Sequence, residues 1–219
     1  MSKLEFRFDR ERDALNFWEL CNSECSWKDE KTDLDLNYLN LFKEKSFSDS
    51  KKKILKMLNK LHNSHYIEIF RDSLQKSWEQ INDEYFDRLE KLTNNSISSE
   101  NFTAYITSVG RCAYKKNNTF TVSLKRPLLQ AVRTCGHELL HLHIDNLYGK
   151  NLRESIGEDR FNFLNESLTV LLNLEFKNLW QAKDIGYFQN KNLREFIEKE
   201  WKEKKDFGVL MEKCVEYLK

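Results

Sequence analysis

Apolar residues recur at helical spacing through most of this chain. Over residues 6–22, Leu15, Trp18 and Cys21 fall three apart and predict one amphipathic helix. A polar connection follows over 26–35. Residues 36–47 place Leu36, Leu39, Phe42 and Phe47 on one side of a second helix, and Ser48-Asp49-Ser50 then offers an N-cap. From Lys51 to Leu92 the helical pattern continues through Ile54, Leu58, Leu61, Ile67, Phe70, Leu74, Trp78, Ile81, Tyr85 and Leu89. About forty residues is long for one helix, so a break at His62-Asn63-Ser64 into two is expected.

The composition changes at Thr93-Asn94-Asn95-Ser96-Ile97-Ser98-Ser99, which reads as a loop. Beyond it the period switches. Phe102-Thr103-Ala104-Tyr105-Ile106-Thr107 and Thr119-Phe120-Thr121-Val122-Ser123-Leu124 are rich in β-branched and aromatic residues. Lys115-Lys116-Asn117-Asn118 between them is a good hairpin turn, and Gly110 marks a bulge or bend. Pro127 stands where a helix would begin, and Leu128, Leu129, Val132, Leu139, Leu140 and Ile144 make that helix strongly apolar. Residues 146–158, with Gly149 and Gly157, read as a loop. Residues 159–180 form another apolar helix, Gly186 interrupts, and 192–219 form a last, charged helical segment. The expected fold is mainly α with a small antiparallel β-sheet (α+β). Its parts are a helical N-terminal part at 1–95 and a domain at 96–219, which could equally form one compact unit.

Composition narrows the picture. The 219 residues include one proline and six glycines, which suits a helical chain. With 36 Lys and Arg against 35 Asp and Glu, the net charge is +1, too small for a general nucleic-acid footprint. No apolar run approaches the roughly eighteen residues of a membrane span. Charges near Met1 stand where a signal peptide would be apolar, so a cytoplasmic protein is expected. Five scattered cysteines do not make a disulfide framework. Cys21 and Cys25 read as inert thiols, and His62 and His65 as ordinary helix residues.

The chemistry concentrates in Thr134-Cys135-Gly136-His137-Glu138-Leu139-Leu140-His141-Leu142-His143. His137 and His141 are four apart, one turn on the same helix face, where two imidazoles can close on one Zn²⁺. Glu138 beside them can reach a water held by that metal. His143 is turned away from the pair, and Cys135 reads as core. Asp145 is a candidate acceptor for a ligand imidazole, or a solvated loop residue. A third ligand is supplied by Glu166, an acid among Phe161, Phe163, Leu164, Leu168 and Leu171 whose burial would be costly unless it met a cation. Asp159, in the first turn of its helix, is the runner-up.

These residues resemble the gluzincin class of zinc metallopeptidases, of the thermolysin type, which carry His-Glu-x-x-His on one helix and an Asn-Glu-x-x-(small) pattern on the next. His137, Glu138, His141 and Glu166 match, with Asn165 and Thr169 in the flanking places. The resemblance covers about residues 100–180. It implies a zincin-like core, one Zn²⁺ per chain, Glu138 as general base and a peptide or protein substrate; charge and hydropathy lead to the expectation of neither nucleic acid nor membrane as partner. It also implies that an edge strand, here 119–124, pairs with the extended substrate. Two places depart from it. Val170 stands where an Asp supports a ligand histidine, and no histidine follows His143 to serve as the transition-state donor. Tyr148, seven residues after His141, is the first candidate for that donor, with Tyr187, Arg153 and Arg160 as others. The alternative is a zincin-like module of weak or no activity that binds protein partners.

Overall fold

A computed structural model describes residues 2–22, 40–109, 112, 114–115 and 117–219. Cys25, the connection at 26–35, the start of the 36–47 segment, Gly110 and Lys116 lie outside the described residues.

The chain opens with a strand, β1 (Lys3–Phe8), where the helical reading had already begun at Phe6. The period-two alternation of Leu4 and Phe6, both buried, against exposed Lys3, Glu5 and Arg7 explains it. Asp9 then ends the strand and caps α1 (Arg10–Asn22), its Oδ1 accepting from Arg12 N at 2.8 Å. Helix α2 (Phe47–His62) is capped by Ser46, two residues before the expected cap region, and α3 (His65–Glu79) follows across the expected break. A second break at Gln80 and Ile81 starts α4 (Asn82–Thr93), which ends on Asn94 in the left-handed conformation, φ 52°.

The sheet has the order β1-β2-β4-β3, with β2 Asn101–Thr107, β3 Tyr114–Lys115 and β4 Thr119–Ser123. The expected antiparallel pairing of β2 with β4 is corrected. β1 pairs with β2 in parallel, β2 pairs with β4 in parallel, and only the short β3 runs antiparallel to β4. The hairpin signal was sound, but the strand on its near side is β3. That strand occupies one edge of β4 and leaves the other for β2. In consequence 119–123 is an interior strand, and the free edge on this side belongs to β3.

Helix α5 (Leu128–Ile144) packs behind the sheet. Its Val132, Cys135, Leu139, Leu140 and Leu142 share one cluster with Phe102, Ala104, Phe120 and Val122 from the strands and with Leu74, Trp78, Tyr85 and Phe86 from α3 and α4. Each large apolar side chain so buried contributes about 1.5–3 kcal/mol relative to exposure. Residues before and after 95 therefore share a core as well as a sheet. Gly136 permits the closest approach: a Cβ there would stand 2.6 Å from the Trp180 ring, and Tyr85 donates its hydroxyl to the Gly136 carbonyl at 2.7 Å. A second apolar cluster gathers Ala14, Phe17, Leu20, Cys21, Phe42, Ile54 and Val109. Beside it Asp13 and His62 form a buried pair at 2.8 Å, and the other Asp13 oxygen accepts from Thr107 Oγ1 and Ser108 N, both at 2.7 Å. His62 is thus tied into the fold, whereas His65 is exposed beside Glu68.

After α5 the expected loop is largely helical: a π-helical turn (Asp145–Gly149) leads into α6 (Lys150–Ile156). The single helix read at 159–180 is three pieces, α7 (Glu158–Leu168), α8 (Val170–Glu175) and α9 (Lys177–Trp180). A loop over 181–187 then reaches α10 (Lys191–Glu203) and α11 (Phe207–Leu218). Among the described residues no helix is long and apolar enough to cross a membrane.

Candidate metal centre

Helix α5 places His137 and His141 one turn apart and facing the same way, and their Nε2 atoms approach to 2.8 Å. Helix α7 brings Glu166 against them, its Oε2 3.5 Å from His137 Nε2 and its Oε1 3.4 Å from His141 Nε2. One ligand atom from each lies within 4.8 Å of the others. Three donors each about 2.0–2.1 Å from one ion, at tetrahedral angles, stand about 3.4 Å apart. Each histidine already stands near that figure from one Glu166 oxygen, His137 from Oε2 and His141 from Oε1, and the two imidazoles need to part by only about half an ångström. Glu166 Oε2 is buried without a hydrogen-bond partner, as a ligand oxygen that needs a cation would be; His141 Nδ1, on the far side of its ring from the cluster, also has none. The donor set of two nitrogens and one carboxylate suits Zn²⁺ with a position left open.

Asp184, in the 181–187 loop, holds His137 from behind. Its Oδ2 accepts from His137 Nδ1 at 2.9 Å, which directs Nε2 toward the ion position. Arg133, one turn before His137 on α5, donates to the same oxygen. The other oxygen, Oδ1, accepts from Arg194 Nη2 at 3.1 Å and lies 3.2 Å from Thr169 Oγ1. The backbone of Asp184 is clamped by Asn173, whose amide exchanges two bonds of 2.7 Å with it. This carboxylate fills the supporting role for which position 170 offers only Val170. It went unseen in the sequence because a single acid in a loop carries no periodicity, and its link to His137 is purely tertiary.

The surrounding charges set the protonation of these groups. Burial by itself would lower the pKa of His137, but the Asp184 carboxylate and its hydrogen bond, aided by Glu166, outweigh this and raise it to about 10. Burial would raise Glu166, yet His141 and His137 hold it well below the usual carboxylate range. Asp184 is depressed in the same way, against burial, by His137, Arg133 and Arg194. Glu138 is buried, at 4% exposure, and burial lifts its pKa above the ordinary value against the pull of His137 and His141.

The remaining candidates fall elsewhere. Tyr148 lies on the π-helical turn, whose wider winding rotates it off the histidine face, and its ring packs against Phe207 at 6.0 Å. Tyr114 on β3 is the aromatic residue beside the cluster, its ring 5.4 Å from that of His141 and its hydroxyl 3.5 Å from Asn165 Nδ2. Asp145 is paired with Arg153 instead of an imidazole, and Arg153 also binds Glu158 at 2.7 Å. Asp159 and Arg160 are exposed on the first turn of α7, and Tyr187 is the last residue of the 181–187 loop. His143 points away from the pair, its Nε2 2.9 Å from Thr93 Oγ1. Cys135 is fully buried core. No protein-family profile, no curated protein and no solved structure matches this chain.

Proposed function

We propose that this chain is a zinc-dependent hydrolase of the gluzincin type that cleaves peptide bonds. The observation that carries the reading is the convergence of His137, His141 and Glu166 within 4.8 Å, with Glu138 buried next to the first of them. His137 Nε2, His141 Nε2 and one Glu166 oxygen would hold the ion. When bound, zinc supplies a Lewis acid for the scissile carbonyl and lowers the pKa of a water.

The rest is the work of the chain. Asp184 fixes the His137 tautomer, so that Nδ1 carries the proton and Nε2 the lone pair. Glu138 takes a proton from the attacking water and delivers it to the leaving amine nitrogen. A carboxylate whose pKa has been lifted by burial is a better match for both transfers than a surface one. The free edge of β3, not the interior β4, is where an extended substrate would pair.

One observation favours a second reading, a zincin-like module that binds protein partners with little or no turnover. No histidine follows His143, and Tyr148 faces away from the cluster. Metal content and cleavage of a peptide library, measured on the parent and on Glu138→Gln, separate the two. The hydrolase reading expects one zinc in both proteins and cleavage only in the parent. Zinc in both with no cleavage by either selects the binding module.

A further inference from the structure

Arg194 is the most deeply engaged cation of the C-terminal helices. It sits on α10, 6% exposed, and burial lowers its pKa against the pull of Asp184. Its two terminal nitrogens reach three separate parts of the site. Nη2 donates to the Asp184 carbonyl at 2.8 Å and to Asp184 Oδ1 at 3.1 Å. Nη1 donates to Thr169 Oγ1 at 2.6 Å and approaches the Glu166 carbonyl at 3.4 Å. Thr169 in turn bridges to the Glu166 carbonyl at 2.7 Å.

One planar fork therefore touches the backbone of the Glu166 ligand and both the backbone and the carboxylate of the residue that orients the His137 ligand. The division of oxygens matters. Asp184 Oδ2 serves His137 and Arg133, while Oδ1 is held by Arg194. With Oδ1 tethered, the carboxylate cannot rotate, and Oδ2 stays aimed at His137 Nδ1. Gly186, two residues on, has φ 62° and leaves the space the guanidinium occupies, since a Cβ there would stand 2.7 Å from Arg194 Cζ.

We propose that Arg194 is a positioning residue for the metal centre: it registers the Glu166 and His137 halves of the ligand set against each other and makes their geometry depend on α10. The proposal rests on the metal reading above. Lysine is not an equivalent, because a single ammonium cannot span Thr169 and Asp184 as a fork does.

The test uses Co²⁺ as probe, because its visible spectrum reports ligand geometry without any activity measurement. The parent, Arg194→Met and Arg194→Lys are titrated with Co²⁺, with and without free guanidinium. Trp201→Phe serves as a control, since it removes a bond from the same helix to Glu175 Oε1, 2.8 Å long, without touching the site. Both Arg194 variants are expected to show an altered, weaker cobalt spectrum and about 10–100-fold lower metal affinity. Guanidinium should restore much of the parent spectrum in Arg194→Met, and Trp201→Phe should keep that spectrum despite lower stability. Parent-like spectra and affinities in both Arg194 variants overturn the proposal, as does an equal change in Trp201→Phe. A parent chain that takes up no cobalt defeats the metal reading itself, and this inference with it.

Discussion

Replacing Asp184 by Asn keeps the shape of the residue and removes the charge at the centre of the site. Two effects on metal affinity then oppose each other. In the parent, His137 has a pKa of about 10, so at pH 7 an incoming ion must displace its proton. Three pH units at about 1.4 kcal/mol each make that cost ~4 kcal/mol. The parent's apparent affinity should therefore climb about tenfold per pH unit from neutrality toward 10. Without the carboxylate only Glu166 still raises the imidazole against burial, so its pKa falls back toward the ordinary 6.5 and most of the proton cost at pH 7 disappears. Against this gain, loss of the acceptor that orients the ligand costs about 10–100-fold in intrinsic affinity. The two affinity curves should converge or cross near neutrality, with the parent clearly tighter near pH 9 and the variant nearly flat above pH 7. Competition against a chromogenic chelator of known proton linkage, from about pH 6.5 to 9, reads both curves. Urea unfolding should show a loss of about 3–5 kcal/mol, because Arg133 and Arg194 keep buried charges without their partner. Equal slopes and equal affinities at every pH would refute the reasoning.

Other consequences follow from the same geometry. Glu138→Gln should lower kcat by at least about 10²-fold with zinc retained, measured by peptide cleavage and metal content. Gly136→Ala drives a methyl to within 2.6 Å of Trp180 and should cost about 1–3 kcal/mol in urea unfolding; an unchanged midpoint would contradict the packing described for α5. Asp13→Ala leaves His62, Thr107 and Ser108 without their common acceptor, and a loss of about 3–5 kcal/mol is expected far from the metal centre, with metal affinity unchanged. In the metal-free chain the raised pKa of His137 contributes stability that is full below about 6.5 and is lost as pH rises through 10. Its thermal midpoint should thus fall from pH 7 to 10, more steeply than in a His137→Gln control.

The three residues of the candidate metal cluster were legible because each carries a local signal. His137 and His141 keep helical spacing, and Glu166 is an acid in an apolar helix. The helices between 47 and 93 were legible for the same reason, while the start at Phe47 and the break at Gln80 went unread. What failed was tertiary. The strength of β3 lies in its pairing with β4, and two residues carry no pattern of their own, so the turn at 115–118 was assigned the wrong strand. β1 had a readable alternation at Leu4 and Phe6, but the helical pattern beyond it absorbed the segment. Tyr148 was placed by assuming α-helical winding through Asp145–Gly149, where a π-turn intervenes. Asp184, Arg133 and Arg194 are brought together from a loop and two helices, and no spacing along the chain connects them. No acid stands at Val170, and the carboxylate that holds His137 comes from Asp184, elsewhere in the chain.

The most direct test of the metal centre is a crystal structure of the zinc-loaded protein. One ion is expected, bound by His137 Nε2, His141 Nε2 and a Glu166 oxygen, each at about 2.0–2.2 Å, with Asp184 still on His137 Nδ1 and one position open to solvent. An ion held by other residues, or zinc-saturated crystals with none between these three, would contradict it.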